Sequence, residues 1–262
     1  MPLLGVCGDS YLAATQDIPD RNDCKDSRGK HFTEILANRL GYDYYTMARG
    51  ACSNTTIRLQ IDEMINKKCD FVLIGTTWPS RIEYYLTENK FDYSKGIYNI
   101  DYSYHPDLSS LNKNFDGDAN TVSETIINVL EGYGRYKNEE QKESLKTYLL
   151  NLYHEPIKEL QDAWIIANGI SELESLKIPF LVLVHKHLAD TLVTKYQTKN
   201  SRILVENEDT SIYIPWRYDM YDEETGDITR RRYHVSDKNQ IKICDNLYDY
   251  IKKCNLLTWN DD

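Results

Sequence analysis

Short apolar runs alternate with amphipathic stretches along the first 75 residues, and this alternation limits the possible folds more than any other feature. The runs Leu3–Cys7, Tyr42–Ala48 and Phe71–Ile74 have the length and composition of buried strands. The stretches between them repeat apolar side chains at helical spacing. Strand–helix–strand order of this kind predicts a parallel sheet with helices on both faces.

The remaining elements continue the pattern toward the C-terminus. We predict helices over 31–40 and from the N-cap Ser53 to Lys67, strands over Ile178–Val184, Arg202–Val205 and Ser211–Pro215, and a closing helix over Ser236–Cys254. Residues 139–174 are predicted to form one long helix or a helical pair. The sequence therefore indicates a mainly parallel sheet of about five strands.

A tyrosine-rich segment interrupts this pattern at about 84–134. It has little periodicity and several turn-forming residues, and the whole chain carries 21 tyrosines against 5 phenylalanines. Because long loops in a domain are usually functional or disordered, and aromatic content favours order, we expect an inserted cap over a binding site. The chain, residues 1–262, is then a single α/β domain with this cap-like insertion.

Composition excludes several classes of function. A formal net charge of −10 argues against binding to nucleic acid, and no apolar run approaches the ~20 residues that span a bilayer. The first apolar run lacks a basic flank, so we expect no signal peptide and a cytoplasmic protein. The six cysteines show no metal-ligand spacing. We therefore expect reduced thiols, no metal and no organic cofactor.

Small and polar residues follow the predicted strands. Gly8-Asp9-Ser10 follows the first strand, 49–55 the second and 75–81 the third, while 233–237 open the closing helix. Because ligands bind at the carboxyl ends of strands in sheets of this class, these four clusters are predicted to meet at one edge.

In order and spacing, the four clusters resemble blocks I, II, III and V of the SGNH (GDSL-like) serine hydrolase superfamily. The resemblance implies a flavodoxin-like three-layer sandwich in which Ser10 is the nucleophile and His234 its base. It also implies an oxyanion hole built from the backbone N–H of Ser10, the N–H of Gly50 or Ser53, and the side chain at the block III position, Thr77. Supporting motif residues are Gly8, Asp9, Asn54 and Gly75.

Two positions depart from the family pattern. Thr77 replaces the asparagine of block III, and Arg231 replaces the aspartate three residues before His234. A Ser–His dyad oriented by a backbone carbonyl remains open, as does a third acid from elsewhere. The candidate acids are Asp219, Asp222 and Asp227.

These residues lead to two hypotheses. The first is an esterase that hydrolyses a carboxylic ester, such as an O-acetyl group on a carbohydrate, with Trp78, Arg81 and His185 as candidate substrate contacts. The alternative, motivated by the two departures, is a binding or structural protein on the same scaffold with weakened catalysis. Because the superfamily also occurs in virus-like particles, this alternative includes a virion-associated protein of phage origin.

Overall fold

A regular β–α order runs through the computed structural model of the chain, which describes residues 1–9, 11–13, 31–48, 53–77, 138–184, 188, 202–205 and 237–259. The elements in these ranges are β1 (Leu3–Cys7), α1 (Phe32–Leu40), β2 (Asp43–Thr46), α2 (Asn54–Asn66), β3 (Phe71–Gly75), α3 (Glu139–Asn151), α4 (Glu155–Ser175), β4 (Phe180–Val184), β5 (Ile203–Val205) and α5 (Asp237–Lys253).

The five strands form one sheet in the order β2-β1-β3-β4-β5, and every neighbouring pair is parallel. This is the strand order of flavodoxin-like sheets. The chain runs outward from β1 to β2 and then crosses back to β3, so the order reverses between β1 and β3. Ligands of such sheets bind in the crevice beyond the strand ends at this switch point.

Helices cover both faces of the sheet. α1 packs against α5 on one face, and α2 packs against α4 on the other. Successive residues of β3 point to opposite faces: Leu73 joins the core beneath α1 and α5, whereas Val72 and Ile74 join the core beneath α2 and α4. All of β3 and β4 is buried, as expected for strands covered on both sides.

Local sequence explains where the helices end. Ser53 caps α2 by accepting a hydrogen bond from Thr56 N, and α1 ends at Gly41, whose φ of 74° suits a residue without Cβ. Pro156 lies in the first turn of α4, where its missing N–H is tolerated. A proline also disrupts a helix that reaches it from the N-terminal side, and here 139–174 forms two helices.

The predicted fold class is confirmed: a parallel five-stranded sheet carries helices on both faces. β2 is shorter than the predicted Tyr42–Ala48, and of the two arrangements left open for 139–174 the structure shows the helical pair. The predicted strand Ser211–Pro215 and the insertion at 84–134 lie outside the described residues. None of the helices in the described ranges is long and apolar enough to cross a bilayer.

Candidate active site

The ends of β1 and β3 meet at the switch point, where Cys7 is paired with Ile74. Two residues past each strand, the Thr77 hydroxyl donates a hydrogen bond of 2.8 Å to Asp9 Oδ2. Asp9 is 1% exposed and Thr77 is fully buried. The clusters that follow the first and third strands are therefore joined directly.

Asp9 also organises the turn that follows β1. Its carbonyl oxygen accepts hydrogen bonds from Leu12 N and Ala13 N, at 3.1 and 3.0 Å. Its second carboxylate oxygen, Oδ1, accepts one from Tyr11 N at 2.9 Å. Asp9, which directly precedes Ser10 in the sequence, thus binds the three residues that follow Ser10. Ser10 itself lies outside the described residues.

Gln60 holds the glycine at the start of this turn. Gly8 N donates to Gln60 Oε1 at 2.6 Å, and Gln60 Nε2 donates back to Gly8 O at 3.3 Å. The side-chain amide therefore satisfies both backbone groups of Gly8, as a neighbouring strand would. Since Gln60 lies on α2 and is 4% exposed, this pair fixes the turn to the helix.

Leu12 explains why glycine is needed at two motif positions. A Cβ at Gly75 would lie 2.3 Å from Leu12 Cδ1, and one at Gly8 would lie 2.9 Å from Leu12 Cβ. Leu12 is 1% exposed, so it fills the space between the ends of β1 and β3. Both glycines give this side chain room.

We expect Gly75→Ala to lower the free energy of unfolding by about 1–3 kcal/mol, because the added methyl overpacks a filled core. In the Leu12→Ala background the same change should cost less, since the clashing atoms are gone. Urea denaturation of the two single variants and the double variant measures this coupling. Additive losses would show that Leu12 does not pack against Gly75.

Asn54 ties the start of α2 to the end of β3. Thr77 N donates to Asn54 Oδ1, and Asn54 Nδ2 donates to Thr77 O, each at 2.9 Å. Ser53, the N-cap directly before it, is fully buried, as is Asn54. The cluster at the start of α2 therefore meets the other two at the same edge of the sheet.

A charged pair on α4 extends this network into the core. Asn54 Nδ2 donates a second hydrogen bond, of 2.9 Å, to Asp162 Oδ2, and Lys158 Nζ binds Asp162 Oδ1. Asp162 is fully buried and Lys158 is 8% exposed. Neither residue was predicted as part of a site.

His31 connects the turn after β1 to α1. Its Nε2 lies 3.1 Å from Tyr11 O, and because a carbonyl only accepts, Nε2 carries the hydrogen. Its Nδ1 then accepts from Thr33 N at 3.3 Å and from Thr33 Oγ1 at 2.7 Å, which caps α1. Complete burial lowers the pKa of His31 to about 3, so the imidazole is neutral.

Gln240 connects α1 to the closing helix. Phe32 N donates to Gln240 Oε1 at 2.8 Å, and Gln240 is fully buried in the first turn of α5. His31 and Phe32 therefore link Tyr11, the neighbour of Ser10, to a residue six positions after His234 in the sequence.

The side chain predicted for the oxyanion hole, that of Thr77, donates to another acceptor in this structure. A hydroxyl has one hydrogen, and that of Thr77 is directed at Asp9. Both Nδ2 hydrogens of Asn54 are used, by Thr77 O and Asp162. A role for Thr77 in an oxyanion hole thus requires exchange of its bond to Asp9.

The other predicted site residues lie outside the described residues. They are Ser10, Gly50, Trp78, Arg81, His185 and His234, together with Arg231 and the candidate acids Asp219, Asp222 and Asp227.

Four cysteines in the described ranges are free. Burial raises the pKa of the Cys69 thiol to about 12 and that of the Cys244 thiol to about 11. It also raises the pKa of the Cys7 thiol well above its usual value. Protonated thiols are poor nucleophiles and poor metal ligands. Within the same ranges, no three His, Cys, Asp or Glu side chains lie close enough together to hold a metal ion.

One sequence signal could have identified the polar residues that were missed. Gln60, Asp162 and Gln240 each occupy a position on the apolar stripe of their helix, in register with buried residues such as Ile57, Ile166 and Leu247. A polar side chain at such a position has to find a buried partner. Gln60 binds Gly8, Asp162 binds Asn54, and Gln240 binds Phe32, which is next to His31.

Comparisons with known proteins assign no family. No family model matches the sequence, and no curated protein is significantly similar to it. Among solved structures, an acetyl xylan esterase from the rumen bacterium Butyrivibrio proteoclasticus aligns over 98% of this chain, with 10% identity and a TM-score of 0.45. The alignment covers 65% of that enzyme, slightly less than two thirds of its length. At this similarity, function has to be argued from the site itself.

Proposed function

We propose that the protein is a serine ester hydrolase with Ser10 as nucleophile and His234 as general base. The observation that carries the proposal is the Thr77–Asp9 hydrogen bond, together with the pairing of Asn54 to Thr77. These bonds bring three polar clusters together at the switch point, where ligands of this sheet class bind. The turn held by Asp9 is the one whose sequence contains Ser10.

In the proposed reaction, Ser10 Oγ attacks the acyl carbon of the ester while His234 takes its proton. The tetrahedral intermediate collapses, the alcohol leaves with that proton, and the acyl group stays on Ser10. Water, deprotonated by His234, then attacks the acyl carbon. The bond between Ser10 Oγ and the acyl carbon breaks, Ser10 takes the proton back from His234, and the carboxylic acid leaves. Backbone N–H groups of Ser10 and of Gly50 or Ser53 stabilise the oxyanion.

Contacts at the start of α1 support the proposed pairing of Ser10 with His234, which lie 224 positions apart in the sequence. His31 binds Tyr11 O, and the adjacent Phe32 N binds Gln240. One dipeptide thus contacts the turn after β1 and the first turn of α5. Since His234 precedes α5 by three residues, these contacts favour an approach of His234 to the Ser10 turn.

Because the Thr77 hydroxyl is bonded to Asp9, we expect slow turnover. Loss of one oxyanion donor reduces rates by ~10²–10³ in related chemistry. The substrate proposed is a small ester or an acylated carbohydrate, which suits candidate contacts such as Trp78 and Arg81.

The same hydrogen bond favours a second candidate function, a binding or structural protein with weakened catalysis. If the Thr77 hydroxyl stays bonded to Asp9, the side-chain donor of the oxyanion hole is missing. Such a protein would bind an acylated carbohydrate without turning it over.

Turnover of p-nitrophenyl acetate distinguishes the two candidates. We expect wild type to exceed the buffer rate, Ser10→Ala to fall to background, and Ser144→Ala, an exposed serine of α3, to match wild type. Circular dichroism confirms that all three are folded. If wild type and Ser10→Ala both react at the buffer rate, the hydrolase proposal is wrong and binding of acetylated oligosaccharides becomes the measurement of interest.

Thr77→Val is expected to lower the free energy of unfolding by about 1–3 kcal/mol, because a buried carboxylate oxygen of Asp9 loses a donor. Thr77→Ser keeps the hydroxyl and should stay closer to wild type. Chemical denaturation of both variants tests this. Equal stability of Thr77→Val and wild type would show that the Asp9 bond contributes nothing.

A further inference from the structure

We propose that Asp162, held by Lys158, is a positioning residue for the candidate active site. It fixes the side-chain amide of Asn54, which in turn holds Thr77 beside Asp9 and the Ser10 turn. The inference deepens the proposed hydrolase function and rests on it for its catalytic consequence. Its structural consequence can be measured independently.

Asp162 and the Thr77 backbone select the same orientation of the Asn54 amide. A carboxylate oxygen accepts hydrogen bonds and cannot donate them, so Nδ2 of Asn54 has to face Asp162. The amide oxygen then faces Thr77 N. The reversed amide would place Oδ1 against the Asp162 carboxylate and Thr77 O, and Nδ2 against the Thr77 N–H, which are three repulsive contacts.

The orientation of Asn54 then determines the position of Thr77. Both backbone groups of Thr77 are bound by this one amide, at 2.9 Å each. They lie two residues beyond the end of β3, and one residue beyond Thr76, whose N–H still donates to Leu183 O of β4. Because the Thr77 hydroxyl holds Asp9, a shift of Thr77 is passed on to the turn after β1.

Lys158 reduces the free-energy cost of burying the Asp162 carboxylate. Asp162 is fully buried, and an isolated buried carboxylate is costly, so the ammonium of Lys158 offsets its charge. On this account the site needs an acceptor oxygen at position 162. It does not need the negative charge.

Two double variants, both carrying Lys158→Gln, separate the acceptor oxygen of Asp162 from its negative charge. With Asp162→Asn, an acceptor oxygen for Asn54 remains and the new glutamine can bind the new amide one turn away. With Asp162→Leu, the shape is similar but the acceptor is gone. Neither variant leaves a buried charge without a partner, so both are expected to fold.

We expect kcat for p-nitrophenyl acetate to stay within about threefold of wild type for Lys158→Gln/Asp162→Asn. For Lys158→Gln/Asp162→Leu it should fall about 10–100-fold with KM changed less than about threefold, because misplaced groups slow the reaction without weakening substrate binding. Equal kcat values for the two folded variants would overturn the catalytic part of the proposal.

Hydrogen exchange provides a readout that does not require activity. The Thr77 backbone N–H is bonded to Asn54 Oδ1, so its protection should fall about tenfold or more with Asp162→Leu and stay unchanged with Asp162→Asn. The amide of Val182 in β4 serves as a reference for global stability. If wild type hydrolyses no ester but Thr77 exchange differs as expected, the hydrolase function fails and Asp162 still positions Asn54. If Thr77 exchange is the same in both variants, the positioning proposal is wrong.

Discussion

Acidification from pH 6.5 toward pH 3 is expected to remove up to about 5 kcal/mol of stability through His31 alone. Burial lowers its pKa to about 3 in the folded protein, whereas the unfolded chain has the ordinary value of 6.5. Between these values the unfolded state binds more protons, so the stabilisation is complete above pH 6.5 and is lost as the pH falls. Protonation would also place a hydrogen on Nδ1, which accepts from Thr33 in the cap of α1.

The measurement is the free energy of unfolding in urea at several pH values for wild type and His31→Asn. Their difference should change by about 1.4 kcal/mol per pH unit between pH 6 and pH 4. His154→Asn, at an exposed histidine, is the matched control for the loss of a histidine side chain. A pH-independent difference between wild type and His31→Asn would contradict a buried neutral imidazole.

Asp162→Leu alone is expected to destabilise the protein by about 3–5 kcal/mol, because it removes the carboxylate that binds the buried Lys158 ammonium. Removing both charges with Lys158→Met/Asp162→Leu should restore most of this loss, since apolar residues often replace a buried ion pair with little net cost. The two variants thus separate the contribution of the intact ion pair to the free energy of unfolding from the effect of removing one of its two charges.

Thermal or urea unfolding of the single and double variants tests this expectation. Asp245→Asn is a suitable control, because the Arg39–Asp245 pair has side chains 38% and 48% exposed and should contribute less than about 1 kcal/mol. If Asp162→Leu costs no more than Asp245→Asn, the pair on α4 is not buried as the structure has it.

Much of the fold could be predicted because single elements carry local signals. The apolar run Leu3–Cys7 is β1 residue for residue, and Ser53 caps α2 as its position predicted. The order of elements then implied a parallel sheet. The division of 139–174 was harder, since the deciding feature, Pro156, is compatible with either a kinked or a broken helix.

The site was only partly predictable because its support comes from distant parts of the chain. Gly8, Asp9, Asn54 and Thr77 were found from their places after strands and at a helix start. Their partners could not be paired from sequence: Asp162 lies 108 residues from Asn54. The position of Asp162 on the apolar stripe of α4 indicates that it is buried, but the sequence does not show which residue it binds.

The roles of individual atoms were also beyond sequence analysis. The Thr77 hydroxyl was expected to face an oxyanion, and in the structure it donates to Asp9. Composition and spacing place Thr77 at the site but do not determine where its one hydrogen points.

Labelling with a fluorophosphonate probe, followed by peptide mapping, tests the central claim most directly, because the probe reacts preferentially with an activated serine and mapping identifies the modified residue. We expect a single adduct on Ser10 in wild type, none in Ser10→Ala, strongly reduced labelling in His234→Ala and full labelling in Ser144→Ala. Unlabelled wild-type protein, or an adduct on a serine other than Ser10, would contradict the account.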